Sequence, residues 1–291
     1  MIISASRRTD IPALYSTWLI NRIRKGFCLV SNPINPRQIT RVSLLPSTVD
    51  AFVFWSKNPK PMLKFLGELD SRGFIYYFQY TLNGYPRAFE PSMPDVDSRL
   101  DTFRALSDRL GSKRVIWRYD PIIISSATDY NFHASTFGRL AYALRDLTRR
   151  VVISTADLYR KIGKRMAKLT SREDAGRMAM QRDSPKMLKL LSLIAETAHT
   201  VGMESFSCAE EYSKLGIQAG GCVDHELINS IGGRSSAKKD PGQRINCRCA
   251  ISRDIGKYDS CIHGCPYCYS TRSFELAHQH FSKHNPKSPM L

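Results

Sequence analysis

Ala51-Phe52-Val53-Phe54-Trp55-Ser56-Lys57-Asn58 is a hydrophobic run that breaks abruptly into polar residues. A strand buried on both faces reads this way, because helices cover both sides of a parallel sheet. Val115-Ile116-Trp117, within the segment 114–119, repeats the pattern and leads into Arg118-Tyr119-Asp120. Ile2–Ser6, Ile75–Tyr80, Val151–Thr155 and Glu204–Cys208 complete a set of six strand candidates. Helix-period segments separate them. Pro12 opens one that carries Leu14, Trp18 and Ile23 and closes at Gly26; Leu63, Leu66 and Leu69 mark a second, before Gly73. Leu100, Phe103, Leu106 and Leu110 mark a third, before Gly111, and Ser184-Pro185 is a cap and first turn for a fourth, through Leu188, Leu191 and Ile194. Six strands in βα order predict an α/β fold, a partial (β/α)6 TIM-like barrel over residues 1–208.

Each apolar run ends on polar residues, and barrels build their sites at that end of the strands. Arg7, Arg8 and Asp10 follow the first run, and Ser56, Lys57 and Asn58 the second. Gln79 lies on the third, with Thr81 and Asn83 beyond it; Arg118 and Asp120 end the fourth. Asp157 follows the fifth, and Cys208, Glu210 and Glu211 the sixth. Guanidinium and ammonium groups there suit a carboxylate or phosphate, and carboxylates suit hydroxyls or an ammonium. The alternative is that these charges pair with one another across the mouth of the sheet.

Past residue 208 the strand signal fades, glycines appear in pairs (Gly220-Gly221, Gly232-Gly233), and cysteines gather. The segment 209–291 reads as a cluster-bearing extension packed on the barrel top, too poor in apolar residues for its own core. Seven of the eight cysteines lie after residue 207, which is not how disulfide staples are spread. Clustered thiols in a chain of 291 residues point to metal or redox chemistry in a reducing compartment. Cys28, on an early apolar stretch, reads as core.

Cys261-Ile-His-Gly-Cys265-Pro-Tyr-Cys268 is the strongest single signal. Thiolates at such close spacing on a turning loop can wrap one iron–sulfur cubane and leave its fourth iron open. This run resembles the C-x3-C-x-aromatic-C signature of radical S-adenosylmethionine enzymes. The resemblance implies a [4Fe-4S] cluster on Cys261, Cys265 and Cys268, with Tyr267 beside the adenine of S-adenosylmethionine. It also implies cleavage of that cofactor to a 5′-deoxyadenosyl radical, and a reductant such as flavodoxin or ferredoxin. Two departures stand out: the superfamily usually carries the motif after the first strand, and no Gly-Gly-Glu segment follows the second strand. Over nearly its full length the chain is similar to an uncharacterised bacterial domain-of-unknown-function family. That likeness rests on Ile3 to Asp10, on Cys247-Arg-Cys249 and on the Cys261 to Cys268 run.

On this reading Ser56, Lys57, Asn58, Gln79, Arg118 and Asp120 are candidate cofactor-binding residues. Arg7, Arg8, Asp10 and Glu210 are candidates for the substrate. Cys208, Cys222, Cys247 and Cys249 are enough to ligate a second cluster; zinc, or plain burial of the thiols, explains them as well. His263, inside the cysteine loop, reads as a solvated or hydrogen-bonded residue rather than a ligand.

Lys and Arg exceed Asp and Glu by 43 to 26, a net charge of +17, which favours a nucleic acid or another polyanion as partner. The excess concentrates between Tyr159 and Lys189 and between Arg234 and Arg253. A non-catalytic, zinc- or cluster-stabilised nucleic-acid-binding protein is therefore the rival expectation, and an electron carrier a third. No Walker A, G-x-G-x-x-G, H-E-x-x-H or G-x-S-x-G segment occurs. No run approaches the roughly 20 apolar residues of a membrane span. The N-terminal apolar run is too short for a signal peptide, so the expected location is cytoplasmic.

Overall fold

A computed structural model describes residues 1–156, 160–166 and 184–291. The anticipated Asp157 strand end and most of the basic stretch after Tyr159 lie outside the described residues. Ten strands are described: β1 Ile2–Ala5, β2 Phe27–Ser31, β3 Ile39–Ser43, β4 Ala51–Ser56, β5 Tyr76–Thr81, β6 Val115–Ile122, β7 Arg150–Thr155, β8 Glu204–Cys208, β9 Gln218–Gly220 and β10 Ser252–Asp254. Eight form one sheet in the order β10-β1-β4-β5-β6-β7-β8-β9, and every pairing in it is parallel. The remaining two pair as an antiparallel hairpin.

All six anticipated strands are present, and the fold is α/β around a parallel sheet. The anticipated barrel is not shown: the order runs from β10 at one edge to β9 at the other, with no pairing between those two. Both edge strands come from beyond residue 208, where no strand was expected. They are three residues long and hold no apolar run, so they carry no periodic signal.

The two faces of the sheet bury different partners. Phe52, Phe54, Tyr76, Phe78, Trp117 and Ile153 pack with the helices that follow the strands, together with Leu66, Phe103, Leu140 and Leu191. Their neighbours of opposite parity, Ile2, Ala51, Val53, Tyr77, Ile116 and Val152, pack against Cys222, Val223, Leu227, Ile228, Cys247 and Cys249. The cysteine-bearing segment thus covers the second face of the sheet as well as reaching its strand ends. That explains why β4 and β5 are apolar at successive positions instead of alternating.

The helices begin where capping chemistry puts them. Asp95, Asp129 and Ser184 accept from the backbone N–H groups of Ser98, Phe132 and Met187 at the starts of helices Val96–Leu110, Tyr130–Ala143 and Pro185–Thr200. Asp10 does the same for the short helix Ile11–Leu14, which a break at Tyr15 separates from Ser16–Lys25. The hairpin after Gly26 was not anticipated. Its half-buried alternation, Phe27 to Ser31, is short and follows a helix directly.

Candidate active site

The C-terminal ends of β1, β4, β5, β6, β7 and β8 open onto one cavity of about 460 Å³. That volume falls within the range of small-molecule sites, about 300–1,000 Å³. All seven cysteines after residue 207 line it, while Cys28 is buried in the core elsewhere. The cations at its wall are Arg7, Lys57, Arg118 and Arg244, the acids Asp10 and Asp120. Ile123, Ile162, Met166 and Phe274 supply an apolar flank.

Side chains from the helices and loops at the strand ends hold the loop with Cys261, Cys265 and Cys268 in place. Asp10 accepts from the backbone N–H of Lys57 at 2.8 Å and pairs with His263 Nε2 at 2.9 Å. Burial works to raise the Asp10 pKa, but the His263 contact and the Lys57 N–H outweigh it and hold the carboxyl below its ordinary value. Tyr15 donates to the Ser260 carbonyl at 2.6 Å, and Arg165 to the Thr271 carbonyl at 2.7 Å and to the Cys268 carbonyl. Within the loop the Cys268 N–H meets the Cys265 carbonyl at 3.0 Å, and Gly264 takes φ +73°, where an added Cβ would press Pro91 at 3.0 Å.

Tyr267 is buried, and its hydroxyl donates to Glu90 at 2.5 Å. Glu90 also binds Lys57 at 2.7 Å and Arg99 at 2.9 Å; those two cations overcome its burial and hold its pKa down at about 2. Glu90 was missed from sequence, because a lone acid in the polar loop after β5 has no pattern around it. Burial pushes the Cys261 thiol well up, and the Cys265 thiol up to about 12. Asp254 was also missed. It collects donors from Ser4, Ser6, Arg8 and the backbone N–H groups of Arg7 and Gly256, and so ties β10 to the end of β1.

Cys208, Cys222, Cys247 and Cys249 line the same cavity. Cys208 Sγ lies 3.4 Å from Cys222 Sγ, and the Val223 N–H points at Cys249 Sγ from 3.4 Å. Arg118 Nη1 donates to Cys222 Sγ at 2.9 Å, and its guanidinium also pairs with Asp120. Hydrogen bonds from Cys208 and Cys249, with help from Arg118, hold the Cys222 thiol well below its usual range despite burial.

Of the residues picked out in the sequence, Arg7, Asp10, Ser56, Lys57, Arg118, Asp120, Tyr267 and the seven cysteines line the cavity. Four others are turned to local contacts. Gln79 donates to the Cys222 carbonyl, and Arg8 binds Asp254. The Asn58 N–H meets Ser56 Oγ, and Glu210 accepts from Thr155. Glu211 stands at the surface.

The donor set fits an iron–sulfur cluster in kind: three thiols free of disulfides, on one tethered loop, facing a cavity. As they stand, no group of three or more His, Cys, Asp or Glu side chains among the described residues is arranged to hold a metal ion. No helix among the described residues is long and apolar enough to cross a membrane. No curated protein matches the chain in sequence. One family does, over residues 2–270, so the chain belongs to the family described as Domain of unknown function (DUF1848).

Proposed function

We propose that this protein is a radical S-adenosylmethionine enzyme whose cluster loop, Cys261 to Cys268, is delivered from the C-terminal segment to the strand ends. The observation that carries the reading is that this loop and six parallel strand ends share one cavity lined with cations. When bound and reduced, a [4Fe-4S] cluster would supply the electron that cleaves S-adenosylmethionine, and the resulting 5′-deoxyadenosyl radical would take a hydrogen atom from substrate. Cys261, Cys265 and Cys268 would hold that cluster. Arg7, Lys57 and Arg118 supply positive charge for the cofactor carboxylate or a substrate phosphate. Tyr267 offers a ring fixed by Glu90 for the adenine to lie against. Ile123, Ile162, Met166 and Phe274 keep water from the reacting atoms. The strand order also supports a partial barrel, since chain order runs across the sheet and β10 returns beside β1.

The substrate class is left by the charge as a nucleic acid or another phosphate-bearing molecule. The same +17 favours a second reading, a metal-stabilised nucleic-acid-binding protein without catalysis. Anaerobic reconstitution separates the two. A brown protein is expected, containing iron and sulfide, whose reduced EPR signal changes when S-adenosylmethionine is added and is lost in Cys268→Ala. A colourless zinc protein indifferent to S-adenosylmethionine would overturn the enzyme reading.

A further inference from the structure

Four cysteines outside the triad, Cys208, Cys222, Cys247 and Cys249, come from three separate segments: the end of β8, the turn after β9 and the loop before β10. They converge nonetheless. The sulfurs of Cys208 and Cys222 are 3.4 Å apart, all four cysteines line the one cavity, and none is in a disulfide. The backbone beneath them is drawn close. A Cβ on Gly221, next to Cys222, would stand 2.6 Å from the carbonyl oxygen of Arg248, the residue between Cys247 and Cys249. Only glycine allows that approach.

Two groups treat these sulfurs as more than apolar filling. Arg118, itself buried, aims Nη1 at Cys222 Sγ from 2.9 Å, and the Val223 N–H points at Cys249 Sγ from 3.4 Å. N–H groups directed at sulfur are what a bound thiolate uses, since the second contacts around a centre orient its ligands. The Cys222 carbonyl is fixed by Tyr77 at 2.6 Å and Gln79 at 2.9 Å, both from β5. The turn is thus anchored on the sheet independently of the triad loop.

We infer that Cys208, Cys222, Cys247 and Cys249 form a second metal centre, a four-thiolate site for a soft metal, in the wall of the cavity that the Cys261 loop also lines. As they stand the four thiols are not arranged to hold a metal ion, and closing a shell around one requires rotation about cysteine χ1. A zinc tetrahedron with bonds of about 2.3 Å has sulfur–sulfur edges of about 3.8 Å, close to the observed Cys208–Cys222 separation. A cubane spreads its thiolates over four irons and needs them wider apart. The inference does not depend on the radical reading.

The test removes the triad and asks what remains. A full-length chain carrying Cys261→Ser, Cys265→Ser and Cys268→Ser is expected to keep one centre per chain after purification or anaerobic reconstitution. Zinc without colour identifies a single ion, and iron with equal sulfide identifies a cluster; both support the site. Adding Cys222→Ser should remove that metal at least ten-fold. A folded triad variant that binds no metal would overturn the inference. Should the triple variant not fold, Gly221→Ala in the native chain gives the answer. It is expected to lower metal at the second site several-fold while the triad cluster's EPR signal persists, and unchanged total metal would overturn the site.

Discussion

The sheet body and the cysteine-bearing segment are held by different forces. Along β4, β5 and β6, stability comes from close packing of Phe52, Phe54, Phe78 and Trp117 with one another and with the helices. Residues 255–273 are held by polar ties, Asp10 to His263, Tyr15 to Ser260 and Glu90 to Tyr267, with Asp259 to Arg272 inside the segment, beside the apolar contacts of Cys265 and Tyr267. A close-packed sheet tolerates little change in shape, whereas a loop on a few strong hydrogen bonds keeps its ligands placed but free to settle around a metal. The comparison predicts that core changes act on global stability and tether changes on the loop alone.

The largest effect belongs to the core. Phe78, fully buried beside Phe54, is expected to cost about 3–5 kcal/mol when changed to Ala, read from urea unfolding. Next comes a pH effect in the helix layer. His133 is fully buried between the Tyr119 hydroxyl and the Ile123 carbonyl, with Asp129 the acid near it, and burial holds its pKa down at about 4. The unfolded chain takes up a proton near pH 6.5 that the folded chain refuses until about pH 4. Stability is therefore complete above about pH 6.5 and falls by about 3 kcal/mol as the pH drops to about 4. The difference between the unfolding curves of the native chain and His133→Gln isolates this slope; parallel curves would refute it.

Tether changes come lower. Asp10→Asn keeps the cap but replaces the oxygen that meets both His263 and the Lys57 N–H, and is expected to cost about 1–2 kcal/mol. Its main sign should be faster amide exchange over residues 259–270 with that of β4 to β6 unchanged. If Asp10→Asn speeds exchange in the central strands as well, the two regions are one cooperative unit and the comparison fails. Smallest is Arg272→Ala: the guanidinium is mostly exposed and Asp259 keeps two backbone donors, so a loss under about 1 kcal/mol is expected.

The same contrast explains what was legible in the sequence. Strands such as Ala51–Ser56 and Val115–Ile122 announce themselves because burial on both faces demands consecutive apolar residues. The triad announces itself because only a few residue types bind metal, and their spacing is local. The convergence of Cys208 with Cys222, Cys247 and Cys249 is not local, and nothing in the chain states that β9 and β10 flank the sheet. Glu90 and Asp254 were invisible for a related reason: a single buried acid is defined by its distant cations and donors, here Lys57 with Arg99, and Ser4, Ser6 and Arg8. Gln79 and Glu210, sited well at strand ends, turn to neighbouring backbone because the cysteine segment and β7 reach them first.

The central claim is that the Cys261 loop serves chemistry in the shared cavity. Its most direct test is to reconstitute the protein anaerobically, reduce it with dithionite, add S-adenosylmethionine and measure 5′-deoxyadenosine against Cys265→Ala. Product from the native chain and none from the variant is the expected result. Equal amounts from both, or S-adenosylmethionine left intact by a protein that has bound zinc in place of iron and sulfide, would contradict it.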